Sequence, residues 1–177
     1  QTSANAGLAP LERLKKNNTE LKTKSLIALY DSIYHWKWDT LTNGWEGNPY
    51  NKEINFVYDA KYNLTSYLSQ AWNGSAWENY WQYTYTYDAN NNMTSELSKL
   101  WNGSAWDNLL QSIFTYDANN NMTSYLEQYW NGSAWENLYK STYTYDANNN
   151  MTSELEQYWN GSDWENSYQY TYTYDAN

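Results

Sequence analysis

From Met93 to Trp101 the chain alternates. Met93, Ser95, Leu97, Lys99 and Trp101 fall on one side, and Thr94, Glu96, Ser98 and Leu100 on the other. The pattern returns as Met122, Ser124, Leu126, Gln128, Trp130 and again as Met151, Ser153, Leu155, Gln157, Trp159. A period of two predicts a β-strand with one buried face. The segment that follows alternates as well. Trp77, Asn79, Trp81, Tyr83, Tyr85 and Tyr87 are expected on one face, and Glu78, Tyr80, Gln82, Thr84, Thr86 and Asp88 on the other. In the copy from Trp164, the aromatic side reads Trp164, Asn166, Tyr168, Tyr170, Tyr172 and Tyr174. Runs such as TYTY mix β-branched and aromatic residues, which strands favour.

Two kinds of turn join these strands. Asn-Gly-Ser-Ala separates Trp72 from Trp77, a spacing that sets the two rings opposite each other at a hairpin tip, with Gly74 free to take positive φ. At the other end, Asp88-Ala89-Asn90-Asn91-Asn92 combines an Asp able to bond its own backbone with Asn residues that tolerate the left-handed region. The whole unit recurs every 29 residues, with Tyr58, Tyr87, Tyr116, Tyr145 and Tyr174 each preceding an Asp. One hairpin is not stable alone, so neighbouring repeats must complete one another. The predicted fold is all-β: an antiparallel meander of 29-residue hairpins, about ten strands, forming a curved or spiralling sheet.

The start of the chain departs from this pattern. Leu8, Leu11, Leu14 and Leu21 with basic neighbours predict a short amphipathic helix over residues 1–24, a cap on the array. Residues 25–57 read as an atypical first hairpin, in which Trp38 and Trp45 form a longer-looped version of the Trp–Trp tip. Residues 58–177 are the regular repeats, and the array is expected to continue beyond them. A chain beginning at Gln1 fits a mature protein whose signal peptide has been removed, and fits an excised fragment equally.

YDANNNMTSELEQYW followed by a strand ending in TYTYD resembles the YD repeats of RHS-type and teneurin-type proteins. The matching positions are Tyr145, Asp146, Asn149 where that family usually has Gly, Met151 and Thr152. The WNGSAWEN insertion is still more similar to secreted repeat proteins of Bacteroidetes-type bacteria. The resemblance covers roughly Asp31 to the end. It implies strand–turn architecture and a place outside the cell or on its surface, in many such proteins reached by type IX secretion. RHS-type proteins build hollow shells from many more repeats, so this chain would supply at most a fragment of one.

Composition narrows the function. The chain carries 21 Tyr and 12 Trp but only 2 Phe, amphipathic rings suited to a surface that is apolar on one side and wet on the other. There is no Cys, which removes disulfides and thiol chemistry. No apolar run is long enough for a membrane span. The net charge is −10, and only Lys99 and Lys140 of the ten basic residues lie beyond Lys61, so no basic stripe serves nucleic acid.

Candidate chemistry is sparse. His35 is the single His, and the carboxylates recur by repetition instead of forming a pair in unlike environments, so no catalytic residues are assigned and no enzyme is expected. Asp88, Asn90 and Asn92 match the first three oxygen ligands of a calcium loop, but Met93 and Lys99 stand where its Gly and Glu belong; turn chemistry accounts for them without an ion, and no cofactor is expected. Polysaccharide is the small-ligand candidate. Tyr67, Tyr80, Tyr125, Tyr129 and Tyr158 lie on the polar parity, where a core has less use for rings and a sugar could stack. Sheet edges rich in Tyr and Thr, with little Lys or Pro, point to copies of the same chain or other surface proteins as partners. A structural or adhesive role is the expectation, with carbohydrate binding as the alternative.

Overall fold

Twelve strands appear in the computed structural model, which describes residues 29–175. Ten of them form one antiparallel sheet, and two short ones extend the first hairpin. β1 (Ser32–His35) pairs with β4 (Asn51–Tyr58). Between them β2 (Trp38–Asp39) and β3 (Gly44–Trp45) pair at the tip, Trp38 opposite Trp45. From there the chain meanders through β5 (Leu64–Trp72), β6 (Trp77–Tyr87), β7 (Met93–Trp101), β8 (Trp106–Tyr116), β9 (Met122–Trp130), β10 (Trp135–Tyr145), β11 (Met151–Trp159) and β12 (Trp164–Thr171). Each pairs with its neighbour in sequence, and β1 and β12 stand at opposite edges, so the sheet is open and not a barrel. The helical cap expected over residues 1–24 lies outside the described residues.

The turns form as their residues dictate. Gly74, Gly103, Gly132 and Gly161 all take φ near +100°, a region that costs glycine nothing. Asn73 Oδ1 accepts bonds from the backbone of Ser75 and Ala76, closing the tip. Trp72 and Trp77 then meet at 5.4 Å, edge to face, as do the pairs at Trp101–Trp106, Trp130–Trp135 and Trp159–Trp164. In the opposite turns Asn91, Asn120 and Asn149 adopt φ of 65–68°, the left-handed region that Asn tolerates.

Successive repeats are tied together along that end. Asn92 Nδ2 donates to Asn120 Oδ1 at 2.8 Å and Asn121 Nδ2 to Asn149 Oδ1 at 2.9 Å. The Tyr of each YD donates its hydroxyl to a carbonyl at the start of its own hairpin: Tyr87 to Leu64, Tyr116 to Met93, Tyr145 to Met122 and Tyr174 to Met151, at 2.8–2.9 Å. Each such bond stabilises by about 1 kcal/mol and closes the base of its hairpin.

The alternation expected from Trp77 to Tyr87 is broken. Asn79 pairs with Gln70 but Trp81 with Ser69, leaving Tyr80 as an extra, unpaired residue in a β-bulge. Leu109, Leu138 and Ser167 occupy the same place in later repeats. A second bulge sits at Thr94, Thr123 and Thr152, where Thr86 Oγ1 lies 2.7 Å from Thr94 Oγ1 and 2.6 Å from Ser95 Oγ. At the first bulge the extra residue belongs to the strand after the tip (β6, β8, β10 and β12), and at the second to the strand after the Asp-Asn turn (β7, β9 and β11). Each bulge moves the following residues to the other side of the sheet.

Two faces result. The tryptophan face carries the four Trp pairs, then a row such as Ser66–Thr84–Leu97–Gln111–Gln128–Asn137, read directly from the pairing. The tyrosine face carries Tyr67–Tyr83–Ser98–Leu110–Tyr129 and, one level on, Tyr85–Glu96–Ser112–Glu127–Tyr139–Tyr158. Among the described residues no second layer covers either face. Leu64 is the one buried apolar side chain among them, with Ser69, Ser98 and Ser141 as buried polar ones. Cross-strand side-chain pairs, each contributing roughly 0.2–1 kcal/mol, therefore stand in for a central core.

Candidate functional site

The bulges decide where the candidate tyrosines go. Tyr67, Tyr80, Tyr125, Tyr129 and Tyr158 all lie on the tyrosine face, together with Trp81, Tyr83 and Tyr85, which strict alternation places on the opposite side. Sequence reasoning missed that second group. The copies do not mark the slip, because positions 86 and 87 are constant alike, Thr and Tyr in every repeat, and so both parities recur beyond Tyr80.

Tyr67 is not a free platform. It stacks on Tyr83 at 4.8 Å and 17° and on Phe56 at 5.5 Å, so both of its ring faces are occupied. Burial pushes its phenol, and that of Tyr85, far above the ordinary range. Tyr125 is half-buried and donates to Glu127 Oε2 at 2.5 Å, and burial raises it to about 12. Tyr80, Tyr129 and Tyr158 are exposed. Tyr129 donates to Glu136 Oε2, which raises the phenol and holds the carboxyl below its usual range.

One corner of this face is hollow. A depression of about 210 Å³ lies among β1, β4, β5 and β6, lined by His35, Glu53, Tyr67, Ser69, Tyr80 and Trp81 among others. His35 Nε2 sits 3.0 Å from Glu53 Oε1, and Ser69 Oγ donates to Asn51 Oδ1 at 2.9 Å. Rings and hydrogen-bonding groups thus converge where the first hairpin meets the first regular repeat. The Tyr80–Trp81 step has no ring pair at its counterparts Leu109–Leu110, Leu138–Tyr139 and Ser167–Tyr168.

At the sheet centre Glu96 and Glu127 stand level, both opposite Ser112. Burial raises the Glu96 carboxyl above its ordinary value, and the Glu127 charge adds to the shift. Asp88, the first of the calcium-loop residues, is engaged in its own turn. Its Oδ1 accepts from the backbone N–H of Asn90 at 2.8 Å and of Asn92 at 2.9 Å, and its Oδ2 from Asn92 Nδ2 at 3.0 Å. Those bonds, the Asn92 side chain foremost, hold the carboxyl below its usual range.

No protein-family model and no curated protein matches the chain. Among solved structures, a protein of unknown function from Bacteroides fragilis is 18% identical at a TM-score of 0.55, over 68% of this chain and 91% of that one. A DUF3836 family protein from Bacteroides vulgatus is 26% identical over 49% of this chain and 90% of that one, at a TM-score of 0.39. Another from Parabacteroides distasonis is 18% identical over 50% and 91%, at 0.35. The first similarity shows a shared fold and carries no activity with it. The other two, at their TM-scores, bear on neither fold nor function.

Proposed function

We propose that the protein is a non-catalytic structural and adhesive repeat strip, working outside a bacterial cell and joining copies of itself through the edge of its sheet. The observation that supports this reading is β12. It has the sequence and register of β6, β8 and β10, each of which accepts a further strand, but its own outer edge is unpaired among the described residues. It holds no Lys and no Pro, the residues that usually deter pairing at an edge. The resemblance to secreted YD-type repeats supports the location.

The test uses the outer edge itself. The Tyr172 N–H donates inward to the Thr152 carbonyl, so by strand alternation the N–H of Thr171 points outward. Thr171→Pro removes that outward donor without taking a bond from β11. Light scattering of the whole chain is expected to show mass rising with concentration, and the variant to stay smaller. A wild-type chain that remains monomeric at high concentration would sink the reading.

A further inference from the structure

Charge is sorted by face. From β4 to β12 every carboxylate carried by a strand points to the tyrosine face, and every lysine, namely Lys52, Lys99 and Lys140, points to the tryptophan face. Repetition copies part of this sorting, since Glu78, Asp107, Glu136 and Glu165 hold one position, yet Glu53, Glu96 and Glu127 at three others face the same way, and gathering like charges on one side opposes folding. The cost is visible at Glu96, where burial and the neighbouring Glu127 charge both favour protonation. Turning Glu96 or Glu127 toward solvent would relieve that cost, yet the register holds them level on one face.

We infer that the tyrosine face is a docking surface for a cationic polypeptide segment, its lysine or arginine side chains lying between the carboxylates and the Tyr rings. Charge complementarity chooses this occupant. A face of carboxylates and phenols, with His35 as its one basic group from β1 to β12, repels an acidic polymer and draws a basic one. The chain already uses the needed contact on its other side, where Lys52 Nζ lies 4.6 Å over the Trp77 ring and Lys140 Nζ 4.6 Å over Trp164.

Spacing fits as well. Glu96 and Glu127 are level and two strands apart, about 10 Å, the reach of roughly three residues of extended chain. A segment crossing the strands with a basic residue at every third position would meet Glu96, then Glu127, then the Tyr158 ring two strands further on. The variation of this face from repeat to repeat suits a non-repeating partner. Tyr67, Glu96, Tyr125 and Glu154 share one position, and Ser69, Ser98, Glu127 and Glu156 another. The surface is independent of the β12 edge, so failure of one leaves the other standing.

The experiment titrates the whole chain with a synthetic peptide carrying lysine at every third position, followed by calorimetry at two salt concentrations. Binding that weakens as salt rises, and weakens roughly tenfold or more in Glu96→Gln/Glu127→Gln, is the expected result. A control, Glu46→Gln/Asp163→Asn, removes the same charge away from this face and should stay within about twofold of wild type. Equal losses in both variants would reduce the effect to general attraction to an acidic protein and overturn the proposal. So would an unaltered affinity in Glu96→Gln/Glu127→Gln. Binding of chitohexaose, a neutral glycan, with the lysine peptide ignored would overturn it in favour of a sugar surface. Since Gln keeps the shape and relieves repulsion, thermal melts of the variant should match wild type or exceed it, which separates lost binding from lost fold.

Discussion

The same strands build both faces of this sheet, yet the two differ from copy to copy. On the tryptophan face Leu68, Leu97, Leu126 and Leu155 hold one position, and Asn79, Asn108, Asn137 and Asn166 another. On the tyrosine face the neighbouring position reads Trp81, Leu110, Tyr139 and Tyr168. Residues one step apart on one strand share the same backbone and the same ladder, so strand formation cannot explain the contrast. What differs is side-chain neighbours. The constant face closes tight cross-strand contacts, such as Gln70 Nε2 to Asn79 Oδ1 at 3.0 Å and its copies Gln128–Asn137 and Gln157–Asn166. The tyrosine face keeps its tip carboxylates on the tip Asn and its YD hydroxyls on the same carbonyls in every repeat, but changes the side chains in its middle rows, where Tyr67, Glu96, Tyr125 and Glu154 share one position.

That contrast can be broken at its strongest point. Trp101→Ala should cost about 2–3 kcal/mol through lost burial and the lost ring pair with Trp106, while Tyr129→Ala on the variable face should cost well under half of that. Urea unfolding of both variants makes the comparison, and equal losses would dissolve the distinction between a constant scaffold and a presenting surface.

Next in size is Tyr116→Phe, which removes the hydroxyl bond to the Met93 carbonyl and should cost about 1 kcal/mol. The same change at Tyr158, for which no such backbone bond exists among the described residues, should leave the urea midpoint nearly where it was. Lys140→Gln on the tryptophan face should cost about 0.5 kcal/mol, the size of an exposed ammonium–ring contact.

The smallest effect has the opposite sign. Burial raises the Glu96 carboxyl, so its stabilising contribution is complete below the ordinary Glu value and is lost as pH rises through the raised one. Glu96→Gln should therefore melt slightly higher than wild type at neutral pH, with the gap closing as the solution is acidified. The turn aspartates behave in reverse. Hydrogen bonds hold Asp88, Asp117 and Asp146 low, so their contribution is present above the ordinary Asp value and is lost as pH falls through the depressed one. Acid unfolding should remain in both proteins, because the variant leaves those turns untouched. A flat, identical pH profile for the two would refute the assignment of strain to the tyrosine face.

Much of this architecture is legible in the residues alone, because it is written locally. Alternation over nine residues specifies a strand, Asn-Gly-Ser-Ala between two Trp specifies a tip, and Asp with three Asn specifies the return turn. Each depends on contacts within a few positions, so Trp72 opposite Trp77 and the 29-residue hairpin follow directly. The first hairpin is less regular, and its Trp38–Trp45 pairing is also readable, since it uses the same tip chemistry in a longer loop.

What the sequence did not decide is which side of the sheet each ring faces. A strand's parity holds only while its ladder is unbroken. Whether it breaks is settled where two strands pair: Tyr80 is the extra residue of β6 against β5, and Thr94 the extra residue of β7 against β6, so the partner takes part in each break. Local pattern therefore determined the strands, the turns and the repeat. The tertiary ladder placed the bulges at Tyr80 and Thr94, and with them brought Trp81, Tyr83 and Tyr85 to the side of Tyr67, Glu96 and Glu127. The sorting of carboxylates from lysines exists only in that arrangement, since a one-residue slip inverts every side chain beyond it.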